Sequence, residues 1–302
     1  MRAFKSEHVE GKILERIDEI NKSFPNKKTS PKFRLHFAAK QADTLYKHIP
    51  DYAKVKFGKR TKVEDYVVNA AVWQEFLVRK WFDKIDLEQI KPTERSSDLF
   101  RVDRQTGSKG KTENEKIQCR RLLYSGIDSM GKLYDFQVPL KARKREKTTN
   151  EEEHKGELDI VAREGDEMVI IEYKIPDSLE PLLRAVFEVI TYYFQIDGEN
   201  AESKYLKSFN DTFFKEEALR NRCKKIGMAI VVPEVAYRFG HDCAFALIQK
   251  YNIKCYKFKG EKYKEIERLT NDEIEAFRRE AKNHLEGIYK YSQTICDNMK
   301  LV

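Results

Sequence analysis

The chain has 302 residues, 40% of them hydrophobic and 12% aromatic, enough to fill a core of substantial size. Lys and Arg outnumber Asp and Glu by 58 to 50, giving a formal charge of +8 and a pI near 9.0, a balance that suits a polyanionic partner, nucleic acid ahead of membrane. The five scattered cysteines (Cys119, Cys223, Cys243, Cys255, Cys296) and six histidines have neither zinc-ligand spacing nor the pattern of a disulfide framework. The first residues are charged (Arg2, Lys5, Glu7) and no apolar run approaches the ~18 residues of a membrane helix, so a cytoplasmic protein without a signal peptide is expected.

In chain order, residues 7–49 have helical spacing (Val9, Ile13, Ile17, Ile20), interrupted at Pro25 and Pro31. A lysine-rich helical extension is therefore predicted over 1–62. A strong helix is predicted at 63–82, with Tyr66, Ala70, Trp73, Leu77 and Trp81 along one side. Residues 91–118 are polar, and 105–111 (QTGSKGK) read as a loop. Strands are predicted at 120–124 and 133–140, joined through a Gly126–Gly131 turn region. The run 141–155 (KARKREKTTNEEEHK) has no apolar pattern and reads as a loop. Further strands are expected at 157–163, 168–174, 226–232 and 253–258, and helices at 179–195 and 242–251. Thr270 and Glu273 form a capping-box pattern that opens a C-terminal helix within 261–302. Its apolar stripe (Ile274, Phe277, Ala281, Leu285, Ile288, Ile295) is expected to pack on its own chain.

The segment GELDIVAREGDEMVIIEYK, from Gly156 to Lys174, carries the chemistry. Gly165-Asp166 is a plausible two-residue hairpin turn. In that register, paired residues have numbers summing to 331, so Asp159 faces Glu172 and Glu157 faces Lys174. Alternation along a strand then places all four on one face, with Leu158, Ile160, Ile171 and Tyr173 on the other. Facing carboxylates destabilise a sheet unless a cation offsets them. Hard divalent ions such as Mg²⁺ take one or two carboxylates together with water and phosphate oxygens. Acid, acid and lysine on one face thus suit metal-assisted phosphodiester hydrolysis. The alternative is an exposed hairpin carrying a Glu157–Lys174 ion pair.

Asp159, twelve intervening residues, then Glu172-Tyr173-Lys174 resembles the D…(D/E)-x-K signature of the PD-(D/E)XK nuclease superfamily. The glycine–acid–apolar–Asp strand Gly156-Glu157-Leu158-Asp159 and the apolar lead-in Met168–Ile171 strengthen the likeness; the proline–aspartate pair is absent, Glu157-Leu158 standing in its place. The resemblance covers roughly residues 63–258. It implies an α/β fold with a restriction-endonuclease-like αβββαβ core, a mixed central sheet and helical extensions at both ends, the nuclease domain spanning 63–260. It further implies Mg²⁺ or Mn²⁺ held by Asp159, Glu172 and the Tyr173 carbonyl, with Lys174 as catalytic lysine. A further acid from the first core helix is expected at Glu75 (Glu64 being a poorer match), and a polar residue of the helix after the lysine at Gln195 or Glu188. Arg184 and Thr191 share that helix's polar stripe and read as solvated.

Basic residues Lys109, Lys111, Arg143, Lys144 and Arg145 are the expected contacts to backbone phosphates. His154 reads as a loop histidine. Tyr192 and Tyr193 are candidates for base stacking, Tyr193 fitting core packing better. The resemblance implies a DNA endonuclease, with restriction or anti-phage defence as the setting that superfamily habit suggests. RNA as substrate and an inert nuclease-fold binding module are the alternatives. A second copy of the chain or a helicase or ATPase companion is the partner class implied, since no P-loop motif occurs in this sequence.

Overall fold

A computed structural model of the chain describes Ala70, Gln74, Val78 and Phe100 individually and residues 115–140, 157–178, 180–215, 221–259 and 265–298. The elements in order are α1 (Glu115–Ser125), β1 (Lys132–Pro139), β2 (Glu157–Glu164), β3 (Glu167–Tyr173), α2 (Leu182–Gln195), α3 (Lys204–Phe213), β4 (Lys225–Val232), α4 (Glu234–Arg238), α5 (Asp242–Lys250), β5 (Lys254–Phe258), β6 (Ile266–Arg268) and α6 (Asn271–Asn298). The fold is α/β. Six strands form one mixed sheet in the order β1-β2-β3-β4-β5-β6. The pairs β1–β2, β2–β3 and β5–β6 are antiparallel; β3–β4 and β4–β5 are parallel. Parallel neighbours require a crossover. Here α2 with α3 makes the first, and α4 with α5 the second.

Two apolar layers cover the sheet. On one side Val161, Met168, Ile170, Met228 and Ile230 meet α2–α6, through residues such as Val186, Phe209, Tyr237, Phe245 and Phe277. On the other, Cys119 and Leu122 of α1 pack on Ile160, Ala162, Val169, Ile171, Tyr173 and Val231. Burial on both faces explains why β4 reads as the continuous apolar run Ile226–Val232 rather than as an alternation. Ile274, Phe277 and Ala281 of α6 join the first layer, so the opening turns of the C-terminal helix pack on their own chain. The capping box is present: Glu273 N–H donates to Thr270 Oγ1 at 3.3 Å, and Thr270 N–H to Glu273 Oε2 at 2.8 Å.

Three sequence expectations change. Residues 120–124 are helix, not strand: Gln118, Cys119 and Leu122 bury one face of α1 at helical spacing, and the arginine pair beside them masks the periodicity. Gly126, at φ 69°, closes that helix, its N–H donating to Leu122 O at 3.0 Å. The polar stretch assigned to 91–118 therefore already contains the start of α1. Helices α3 and α4 and strand β6 were not anticipated. Ala70, Gln74 and Val78 are helical, as the 63–82 spacing predicts, and Gln74 is buried between Phe239 O and His241 N–H, both at 2.8 Å. The predicted extension 1–62 and loops 105–111 and 141–155 lie outside the described residues.

Gly131 shows how tightly β1 enters the sheet. Its φ is 73°, and a Cβ there would stand 2.3 Å from Arg163 O. Gly131→Ala is expected to cost roughly 2–4 kcal/mol, from backbone strain plus overpacking. A lower urea midpoint at unchanged m-value would register it; a midpoint within error of the parent would mean that the turn relaxes freely.

Candidate active site

The β2–β3 ladder runs from Glu164–Glu167 to Ile160–Ile171, every pair summing to 331. It stops there, and Asp159 and Glu172 lie just past its last pair. The Asp159 carboxylate instead takes the Tyr173 N–H on Oδ2 and the Gln137 side-chain amide on Oδ1, both at 3.0 Å. Gln137 lies opposite Asp159, between the pairs Phe136–Ile160 and Val138–Leu158, and has φ 49°. Both strands change faces at this point. Phe136 and Ile160 pack in the α1 layer, whereas Val138 and Leu158 pack in the α2 layer. The left-handed backbone at Gln137 accompanies this break in alternation, and the β1–β2 register stays continuous through it.

The same break corrects two expectations. Leu158 does not share a face with Ile160 and Tyr173. Glu157 does not face Lys174; it pairs with Lys116 of α1 at 3.0 Å, near the surface. The Glu157–Lys174 ion pair of the exposed-hairpin alternative is absent.

Asp159, Glu172 and Lys174 are brought together and buried, at 5%, 3% and 5% exposure. The Lys174 N–H is fixed to Val231 O at 2.8 Å, which sets where its side chain begins. Its Nζ lies 2.5 Å from Glu172 Oε1, 2.6 Å from Glu188 Oε2 and 2.9 Å from Glu180 Oε2. Arg184 lies against the far oxygens of two of these, 3.1 Å from Glu180 Oε1 and 3.2 Å from Glu188 Oε1. The polar stripe of α2 therefore faces inward. Arg184 and Thr191, expected to be solvated, are buried with Glu188 and Gln195. Thr191 Oγ1 donates to Phe187 O at 2.7 Å. Gln195 lies on the same stripe, seven residues or roughly 10 Å along the axis from Glu188.

Layer α1 supplies two groups that sequence reading missed. Gln118 Oε1 accepts the Tyr173 hydroxyl at 2.8 Å, anchoring the residue between the acid and the lysine. Glu115, half-buried in the first turn of α1, is close enough for the charges of Asp159 and Lys174 to act on its carboxyl. Helix α1, rather than 63–82, immediately precedes β1. An acid followed three residues later by buried Gln118 and Cys119 is the signal that could have found it. Glu75, Lys109, Lys111, Arg143, Lys144, Arg145 and His154 lie outside the described residues. Tyr193 is partly buried against the α2-side core and packs beside Gly198, where a Cβ would fall 2.3 Å from its ring.

The electrostatics are lopsided. Five carboxylates (Glu115, Asp159, Glu172, Glu180, Glu188) surround two cations, Lys174 and Arg184. Burial pushes Asp159 up to about 6, against the pull of Lys174 and the Tyr173 N–H. Burial and then the Asp159 charge hold Glu172 well above the ordinary glutamate range. Glu115 is raised by burial and by Asp159. Burial works against charge at Glu188 as well, but Lys174 and Arg184 prevail and hold it well below its usual value. Lys174 keeps its proton: burial disfavours the ammonium, yet Glu172, Glu180, Glu188 and Glu115 raise its pKa well above that of a free lysine.

A divalent cation fits this donor chemistry. Among the described residues no group of three or more His, Cys, Asp and Glu side chains converges on one metal-holding point. Mg²⁺ needs only one or two carboxylates, the rest of its shell being water and phosphate. Asp159 and Glu172 are hard oxygen donors in a cluster whose five carboxylates outnumber its two cations, Lys174 offsetting Glu172 only in part. The described contact of Tyr173 with Asp159 is made by its N–H; its carbonyl remains the ligand that the resemblance suggests.

No family model, no curated protein and no solved structure matches the chain. No helix among the described residues is long and apolar enough to cross a membrane.

Proposed function

We propose that this protein is a metal-dependent nuclease that hydrolyses phosphodiester bonds, with DNA favoured over RNA and internal cleavage over end cleavage. The observation that carries the reading is the convergence of Asp159, Glu172 and Lys174 just past the end of the β2–β3 ladder, buried and short of positive charge. The order α1, three antiparallel strands, α2 with α3, and a parallel strand supports it. Apart from α3, that order is compatible with the αβββαβ core to which the D…E-x-K resemblance points.

Asp159 and Glu172 would hold Mg²⁺ or Mn²⁺, with Glu115 taking the place of the first-helix acid and the Tyr173 carbonyl nearby. The ion would supply Lewis-acid stabilisation of the phosphoryl oxygens. Gln137 and the Tyr173 amide orient the Asp159 carboxylate. The Lys174 ammonium, held by carboxylates, would meet negative charge developing on phosphate or orient the attacking water. The formal charge of +8 supplies the long-range attraction for a polyanion.

Incubation with supercoiled plasmid, linear duplex, single-stranded DNA and RNA in Mg²⁺, Mn²⁺ or EDTA tests the reading. Metal-dependent cleavage is expected, strongest on DNA. RNA cleaved in preference would reassign the substrate, and no cleavage of any polymer would favour a module that binds without cutting.

A further inference from the structure

Lys174, Glu180, Arg184 and Glu188 close into a ring. Around it the contacts are Lys174 Nζ to Glu180 Oε2 at 2.9 Å, Glu180 Oε1 to Arg184 Nη1 at 3.1 Å, Arg184 Nη2 to Glu188 Oε1 at 3.2 Å, and Glu188 Oε2 back to Lys174 Nζ at 2.6 Å. Two positive and two negative charges make it neutral. Each carboxylate turns one oxygen to the lysine and the other to the arginine. The spacing Glu180-x₃-Arg184-x₃-Glu188 aligns the three side chains on one side of the α2 entrance. A buried ion pair offsets its desolvation only where geometry and partners are nearly complete; Glu188 meets this by accepting from both Lys174 and Arg184, while Glu180 Oε2 has the Lys174 ammonium at ion-pair distance without a hydrogen bond.

We propose that Arg184 is a positioning residue for Lys174, acting through Glu180 and Glu188. With those four residues set apart, Glu115, Asp159 and Glu172 remain, Glu172 also touching Lys174 Nζ at 2.5 Å, and their excess negative charge is what a divalent cation would offset. The ring thus holds the lysine from the α2 side, and Glu172 links it to the acids that would take the ion. Arginine suits the first task because its planar fork can span two carboxylates, which a point-charge ammonium cannot. The tether stands on the contacts alone; its catalytic consequence rests on the nuclease reading.

Reductive methylation with formaldehyde and cyanoborohydride, followed by peptide mapping, reads the tether without any activity. Lys174 should be protected in the wild type and react at least about tenfold faster in folded Arg184→Met, the ring's closure having been lost. Lys116 and Lys225, at 58% and 61% side-chain exposure, should react equally in both and serve as internal references. Glu180→Gln, a milder change that keeps the Arg184–Glu188 contact, should give a smaller rise, and it serves if Arg184→Met does not fold. Lys174 labelling equal to wild type in the folded variants would overturn the tether. In cleavage assays Arg184→Met should lower kcat at least about tenfold while KM stays within about twofold, with Arg184→Lys only partly restoring the rate. In a Lys174→Ala background shown by its Tm to be folded at the assay temperature, the same change should have almost no further effect. Multiplicative losses would show that Arg184 acts elsewhere. A wild type that cuts nothing would sink the nuclease reading and leave the labelling result to decide the ring.

Discussion

Lys174→Met is expected to cost the metal-free protein about 3–5 kcal/mol, because it strips the shared cation from Glu172, Glu180 and Glu188. For a domain of this size that corresponds to a fall in Tm on the order of 10 °C. The loss should shrink as pH falls toward the carboxylate range, where protonation relieves the stranded charges. Catalysis should drop by roughly 10²–10⁴ as well. Thermal unfolding in EDTA at neutral and mildly acidic pH checks the first part. A Tm within a degree or two of wild type at neutral pH would mean that the three carboxylates do not depend on this ammonium. The expected fragility also makes Lys174→Met a poor control for activity, since lost cleavage and lost folding would arrive together.

Glu172→Gln and Asp159→Asn should behave oppositely. Both carboxyls are raised in the folded state, Asp159 from 3.8 to about 6. A raised carboxyl binds a proton more tightly when folded, so its ionisation costs stability as pH rises. For Asp159 the cost is absent below about pH 4, grows through pH 6 and is complete above it. A shift of this size sets a ceiling on the order of 3 kcal/mol. Asn retains an acceptor for the Tyr173 N–H and can donate to Gln137 once that amide is turned, so much of the relief should survive. Without metal, Asp159→Asn should unfold later than wild type above pH 7, by about 1–2 kcal/mol, with the advantage vanishing near pH 4. Glu172→Gln removes a carboxyl whose ionisation burial and the Asp159 charge oppose, and should leave the metal-free Tm unchanged or raised. Added Mg²⁺ should stabilise wild type and neither variant. A large destabilisation of both at neutral pH would show the acids to be structural, compensated by partners other than a bound ion.

Much of this site was legible because a hairpin's register follows from its turn. Gly165-Asp166 fixes the pairing sum, and the ladder from Glu164 to Ile160 obeys it. The inward stripe of α2 was legible as a period but not as a direction. Arg184, Glu188, Thr191 and Gln195 form a polar face whether it meets water or buried acids, and only the charges opposite decide which. Gln137 was illegible for a different reason. Its φ is positive, and a glutamine gives no local sign of a left-handed backbone. Helix α1 was lost to composition: arginines flanking Cys119 and Leu122 dilute a short apolar stripe below notice, and with it went Glu115. Register and amphipathic period are local properties, whereas the face switch at Asp159 and the carboxylate cluster are tertiary.

The most direct test of a metal-dependent hydrolase at Asp159 and Glu172 is plasmid cleavage by wild type and Glu172→Gln side by side, in Mg²⁺ and in EDTA. Nicking or linearisation by wild type in Mg²⁺ alone, lost in a Glu172→Gln protein whose Tm is no lower, is the predicted result. Cleavage that persists in EDTA, or that Glu172→Gln matches, would contradict it.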